Sequence, residues 1–215
     1  ASQQPVAEGL PSTPTQTPQP KAPLPKENST TSKPVPISAV PTIPLVPGGV
    51  EFSLTPAPEA MGWVTSQDGS SYTNVPNIHA GKLNGHTYYG FLQFDLSAIP
   101  NGSTVSYANL SLTGLDSQYL AEEGQWQLQL LFTEGNRSWE NPSYQTIQQA
   151  KTNISIFPPL SAKDLASGAV NTFTFGPEQI SILQKHLENN QLQFRLSGPD
   201  TASDNRFTWD SGYRN

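Results

Sequence analysis

The chain has 215 residues, no cysteine and a formal net charge of −6. Without cysteine it can form no disulfide, thiol nucleophile or cysteine-ligated metal site. The acidic balance argues against a nucleic-acid partner and against electrostatic docking on anionic membranes, since both interactions need a basic surface. No apolar run approaches the roughly 20 residues that span a bilayer, so we expect no membrane contact from this sequence itself.

Composition divides the chain near residue 48. Residues 1–48 hold 12 of the 21 prolines and no aromatic residue. A segment with so little apolar surface to bury cannot offset the entropy of ordering. We therefore predict a disordered proline-rich linker over 1–48, partly in polyproline II, and one folded domain over 49–215. Pro11 and Pro14 form a P-x-x-P pattern without a basic flank, which favours a spacer over a docking site.

The folded part opens with two candidate strands and a loop. Apolar residues alternate with polar ones over Val50–Leu54, which predicts an opening strand. Trp63–Ser66 is a second, shorter candidate. Residues 67–85 are rich in Asp, Gly, Ser, Asn and Pro, which predicts a long irregular loop.

The clearest pattern is a pair of strands between Tyr88 and Leu112. In the first strand Leu92, Phe94 and Leu96 recur at period two, and Phe91, Gln93 and Asp95 take the opposite face. In the second strand the apolar set is Ala108, Leu110 and Leu112. Alternation of this kind is typical of half-buried strands, and residues 100–102, Pro-Asn-Gly, supply turn chemistry between them.

Further strands and one helix follow. The remaining candidate strands are Trp126–Phe132 with Trp126, Leu128, Leu130 and Phe132 inward, Ile154–Ile156, Val170–Phe175, Leu192–Leu196, and a last strand with Phe207 and Trp209. Residues 137–152 are polar and ambiguous. Pro177 and Glu178 begin a helix over 177–188 that Asn189 and Asn190 can end. Many short strands with one short helix predict an all-β fold, an antiparallel β-sandwich of jelly-roll type.

At this point the sequence resembles a known family. Residues 91–112, FLQFDLSAIPNGSTVSYANLSL, are similar to the core pattern of DNRLRE-type domains, bacterial extracellular jelly-roll sandwiches related to some carbohydrate-binding modules. Residues 63–81, WVTSQDGSSYTNVPNIHAG, resemble the loop ahead of that core. Asp204-Asn205-Arg206 matches half of the family's name, and Phe207 departs from it. The resemblance covers roughly residues 50–215.

The resemblance also implies a further strand beyond Asn215. We therefore expect the Phe207–Trp209 strand to leave an edge that needs a cover. The favoured cover is the Val50–Leu54 strand. A neighbouring molecule and the proline-rich linker are the alternatives.

Catalytic and metal-binding patterns are weak. The histidines His79, His86 and His186 do not show the spacing of a zinc site, and Asp68-Gly69-Ser70 fails the calcium-loop pattern at its third position. We expect no cofactor and no metal motif, although calcium held by backbone carbonyls would leave none. There is no nucleophile elbow or phosphate loop, and Glu122, Glu123 and Glu140 are most simply solvated, so we expect no enzyme.

Aromatic rings and amides are the better clue to function. Aromatic rings can stack on sugar faces, but Trp126 and Trp209 fall in strand alternation and are expected in the core. Trp139 and Tyr144 lie in a polar segment and are expected to be exposed. If their strands are neighbours, the outward amides form a hydrogen-bonding face for a polar, uncharged ligand. The predicted ligand site comprises Gln93, Gln127, Gln129, Gln193 and Arg195, with Tyr72, Trp139 and Tyr144 at its edge.

Two functions remain open. The first is a non-catalytic extracellular or cell-surface module on a proline-rich stalk, which binds carbohydrate or cell-wall material or serves as the sensing ectodomain of a membrane-anchored receptor. The second is a structural or adhesion domain that holds a protein partner through an unpaired edge strand.

Overall fold

The computed structural model describes residues 47–132 and 139–213, without the side chains of residues 153–158. Apart from Pro47 and Gly48, the predicted linker lies outside the described residues. The strands are β1 Met61–Thr65, β2 Ser71–Thr73, β3 Asn77–Leu83, β4 His86–Asp95, β5 Asn109–Tyr119, β6 Gln125–Leu131, β7 Thr152–Ser161, β8 Val170–Thr174, β9 Gln191–Ser197 and β10 Asn205–Asp210. The helices are α1 Tyr144–Gln149 and α2 Pro177–His186, with 3₁₀ turns at Pro58–Ala60, Ala162–Asp164 and Leu187–Asn189.

The described strands join into one curled antiparallel sheet. Their order is β7-β6-β9-β4-β3-β10-β5-β8, and β1 pairs with β4 and β2 off this path. The predicted all-β antiparallel class, with a short helix near 177–188, is confirmed. Helix α2 begins with Pro177 in its first turn, and the following 3₁₀ turn ends at Asn190, which has a left-handed φ of 53°.

The main core lies on the inner side of the curled sheet. Leu92, Phe94 and Leu96 are each at most 8% exposed, so the predicted inward face of β4 is confirmed. Phe94 meets Phe194 of β9 edge to face at 5.8 Å, a favourable aromatic geometry. The two core tryptophans are placed as predicted: Trp126 is 1% exposed and Trp209 is buried completely.

One glycine allows a close approach between β3 and β10. Gly81 on β3 has φ +121°, and a Cβ there would lie 2.1 Å from the Asn205 carbonyl oxygen of β10. Only glycine tolerates this approach. β3 pairs with β10 from Asn77 to Lys82 and with β4 only from Gly81 to Leu83, and from Tyr88 onward β4 pairs with β1 instead. Gly81 therefore lies where β4 changes its partner from β3 to β1.

The predicted loop at 67–85 is wrong over about half of its residues. Residues 71–73 form β2, and residues 77–83 form β3. Asn84 and Gly85, with φ of 52° and 77°, connect β3 to β4. Asn-Gly with two positive φ angles is the preferred two-residue hairpin turn, because its twist matches that of the strands.

The predicted opening strand is also wrong. Residues 50–54 form no strand; Val50 is 79% exposed and Phe52 41%. The last strand, β10, has no open edge for residues 50–54 to pair with, because it pairs with β3 on one side and β5 on the other. The expected uncovered edge beside Phe207 and Trp209 is therefore absent from the described strands.

One inward assignment on β6 fails at its end. Phe132 is 51% exposed, whereas Leu131, assigned to the polar face, is buried. Leu131 keeps its predicted side of β6 and is buried there by a second apolar cluster that includes Phe91, Trp139 and Ile147. Phe132 follows the last residue of β6, so strand alternation no longer fixes its side.

Candidate functional site

The predicted amides do share one face of the sheet. β4, β9 and β6 are neighbours. Gln93 lies directly opposite Gln193, and Gln129 opposite Arg195. Because side chains alternate along a strand, these residues point away from the main core. The condition on which the predicted site depended, that the strands are adjacent, therefore holds.

A second apolar cluster covers most of this face. The ambiguous segment contains α1, whose first turn is capped by Ser143 Oγ accepting from the Thr146 N–H at 3.1 Å. Ile147 of this helix is fully buried, and Trp139 is 6% exposed. Both pack over the sheet against Val64, Phe91 and Leu131. The expectation that Trp139 is exposed is therefore wrong, and the middle of the polar face is closed to solvent.

Arg195 connects α1 to the sheet through hydrogen bonds. Its Nε donates to Gln129 Oε1 at 2.7 Å, and Nη1 donates to the carbonyls of Ile147 and Gln148, each at 2.8 Å. A guanidinium at the end of a helix satisfies carbonyls that have no partner within the helix. Burial lowers the pKa of Arg195, partly offset by Tyr89, whose ring lies 5.5 Å away. The side chain thus has a structural role.

The two ends of the Gln93 amide are used differently. Its Oε1 accepts from the Trp139 backbone N–H at 2.7 Å and from Gln193 Nε2 at 3.1 Å. The backbone donor fixes which end of the amide is oxygen. Within the described residues Nε2 donates to no protein acceptor, and unlike Gln191 Oε1 it is open to solvent. An amide donor in this position can bind water or a ligand acceptor.

A polar cavity of about 450 Å³ lies at this end of the face. It is lined by Ala57, Glu59, Ala60, Gln93, Asp95, Glu140, Asn189, Asn190 and Gln191. On this face Asp95 and Gln191 are the next cross-strand pair after Gln93 and Gln193. The cavity therefore continues the polar face beyond the part that Trp139 and α1 cover. Gln191 Oε1 is buried without a hydrogen bond. We call this the amide pocket.

The amide pocket is rich in acceptors. Among its lining residues, Glu59, Asp95 and Glu140 are acidic and none is basic. The Ser97 backbone N–H, at 2.8 Å from Asp95 Oδ1, lowers the pKa of Asp95, which keeps this carboxylate ionised. Across the described part of the chain, no three His, Asp or Glu residues are grouped closely enough to hold a metal ion.

The predicted edge aromatics lie elsewhere. Tyr72 stacks on Trp63 with ring centroids 3.8 Å apart, and Tyr144 stacks on Tyr89 at 5.6 Å. Neither lines the amide pocket. Of the eight predicted site residues, Gln93 alone is among those that line it. Gln127, Gln129, Gln193 and Arg195 lie on the same face, with the amides of Gln127 and Gln129 half-buried.

Sequence reasoning missed the rest of the pocket, although one signal was present. Asp95 follows Gln93 by two positions and Gln191 precedes Gln193 by two, so the same period-two rule that selected the amides extends to both. Glu59, Glu140 and the asparagines come from separate loops. Their convergence has no signal in the local sequence.

No protein-family model matches this chain, and no curated protein matches it. Among the described residues, no helix is long and apolar enough to cross a membrane.

Proposed function

We propose that this chain is a non-catalytic binding module for carbohydrate or cell-wall material, and that the ligand occupies the amide pocket. One observation carries the proposal: Gln93 lines the cavity, its Oε1 is engaged by two protein donors, and its solvent-accessible Nε2 donates to no acceptor within the described residues. A ligand acceptor at that position would complete the hydrogen bonding of this amide.

The chemistry around Gln93 favours a hydroxyl-rich ligand. A hydroxyl group both donates and accepts, so it can accept from Gln93 and donate to a neighbouring carboxylate. Asp95 and Glu59 supply such acceptors, and Gln191 carries a further unsatisfied oxygen. The volume of about 450 Å³ lies within the usual range for small-ligand sites, about 300–1,000 Å³. One or two sugar units fit these requirements.

Binding is favoured over hydrolysis. A glycosidase needs one carboxyl that stays protonated as a general acid, which requires a raised pKa. The pKa of Asp95 is lowered instead. The proline-rich composition of residues 1–48 and the resemblance of the central hairpin to DNRLRE-type domains support placement outside the cell or at its surface, on a stalk.

An array of plant and bacterial wall polysaccharides, followed by calorimetry on the retained sugar, tests the proposal. Asp95→Asn removes the charge but keeps an oxygen to accept from Ser97. A hydrogen bond to a charged group contributes about 1.5–3 kcal/mol, so affinity should fall about 10- to 100-fold. Glu51→Gln, at an exposed carboxylate outside the pocket, should change affinity less than about twofold.

Two results would contradict this function. Equal losses in Asp95→Asn and Glu51→Gln would show that the contact is general electrostatics rather than the pocket. Release of reducing ends from the retained polysaccharide would show that the domain is an enzyme.

A second candidate is a domain that holds a protein partner through an edge strand. The observation in its favour is that β8 pairs only with β5 in the described sheet, so that its other edge is open. Val170 on this strand is 57% exposed. Val170→Lys would block strand addition at this edge. If this is the function, that variant loses the partner while Asp95→Asn retains it.

A further inference from the structure

Arg206 on β10 is held between two tyrosine rings. Its guanidinium carbon lies 5.2 Å from the ring centroid of Tyr88 and 5.1 Å from that of Tyr119. Tyr119 is the direct cross-strand neighbour of Arg206 on β5. Attraction between the cation and the ring faces therefore orients the guanidinium without using its N–H groups.

None of those N–H groups has a protein partner in the described part of the chain. Nε is buried without a hydrogen bond. The two terminal nitrogens also lack partners and, unlike Nε, are open to solvent. Arg195, by contrast, donates to Gln129 and to helix carbonyls. An oriented arginine with both terminal nitrogens free and open to solvent is suited to receive an anion.

The neighbouring charges are engaged elsewhere. The one ion pair among the described residues joins Lys82 to Asp200 at 2.9 Å. Asp204 accepts from the Asn84 backbone N–H at 2.7 Å, and Asp116 from that of Gln118 at 2.8 Å. Arg206 thus has no carboxylate within ion-pair distance in the described residues.

We infer that Arg206 is the anchor of a second binding site, for an anionic saccharide. Its guanidinium would take the carboxylate or phosphate in a two-pronged hydrogen bond, and the ring of Tyr119, which is 36% exposed, would contact the sugar. The site shares no residue with the amide pocket. Residues 49–215 carry 8 basic and 15 acidic side chains, a net of −7. The overall charge of the domain therefore repels anions, and binding of an anion at Arg206 would have to come from local contacts.

Calorimetric titration of the full chain tests this site with three probes: oligogalacturonate, a neutral galactose oligomer of equal length, and a sugar phosphate. The expected result is binding of at least one anionic probe at least tenfold more tightly than the neutral oligomer. Arg206→Gln and Arg206→Lys should each lose about tenfold, because lysine keeps the charge but not the planar fork. The two anionic probes distinguish a carboxylate ligand from a phosphate ligand.

Two controls isolate the contact. Lys82→Gln removes a nearby cation and should change affinity less than twofold. Tyr119→Ala should weaken binding with Arg206 intact, which keeps the test valid if an Arg206 variant folds poorly. Equal binding of the neutral oligomer, no binding of either anion, or an equal loss in Lys82→Gln would overturn the inference.

Discussion

At the scale of single residues, Arg195 and Arg206 differ in the hydrogen bonding of their side chains. Arg195 donates to Gln129 and to the carbonyls of Ile147 and Gln148. Arg195→Ala removes the donor and leaves these acceptors without it, so the free energy of unfolding should fall by about 2–4 kcal/mol. For a domain of this size each 1 kcal/mol lowers Tm by about 2–4 °C, which thermal denaturation can measure.

The matched control is Arg206→Ala, because the Arg206 side chain makes no hydrogen bond within the described residues. In Arg206→Ala the free energy of unfolding should fall by about 1 kcal/mol or less, the contribution of exposed cation–π contacts. If Arg195→Ala melts within about 1 °C of the parent chain, α1 does not depend on this side chain and the polar face is open in solution.

A buried histidine makes stability depend on pH. Burial, and to a lesser extent the charge of Arg206, lowers the pKa of His79 to about 3. In the unfolded chain the imidazole binds its proton near pH 6.5. Between these values the unfolded state binds more protons, so the free energy of unfolding falls as the pH drops from about 6.5 towards 3.

Comparison of urea unfolding at pH 7 and pH 4.5 checks this contribution. His79→Asn retains a polar atom for Thr208 Oγ1, which lies 3.0 Å from His79 Nδ1. The variant should recover about 2–3 kcal/mol of the stability lost at pH 4.5. His86→Asn, at the β3–β4 hairpin, should show the parent's full loss, since His79 is still present. An unchanged loss in His79→Asn would assign the acid sensitivity to other groups.

At the scale of elements, the close approach of β3 to β10 depends on one residue without a side chain. A Cβ at Gly81 would lie 2.1 Å from a backbone oxygen of β10. Gly81→Ala should therefore cost more than about 3 kcal/mol, because the backbone must move. Gly85→Ala is the control: its φ of +77° is left-handed, but no atom lies within 4 Å of the added Cβ. It should cost only about 1–2 kcal/mol.

At the scale of the whole molecule, the folded domain should be independent of the proline-rich segment. A chain that starts at Pro47 should have the same Tm as the full chain, because residues 1–46 contain no aromatic ring to bury. Limited proteolysis should cut the full chain first within that segment. A fall of several degrees on truncation would mean that the segment packs against the domain.

The sequence by itself determined the elements whose signal is local. The period-two alternation of Leu92, Phe94 and Leu96 predicted both a strand and its buried face. Pro177 and Asn190 marked the ends of α2 to within a few residues. Asn84–Gly85 carried an equally local hairpin signal, so the prediction of a loop there was an error of interpretation, not a limit of the sequence.

Only the tertiary structure decided what each polar face does. Alternation selects the side of a strand, and it placed Gln93 and Gln193 together correctly. Whether such a side meets solvent depends on what packs over it, here Trp139 and Ile147 from a segment 46 or more residues away from Gln93. Burial is a property of contacts between distant parts of the chain, so strand alternation alone could not show that Gln193 is buried while Gln93 lines a cavity.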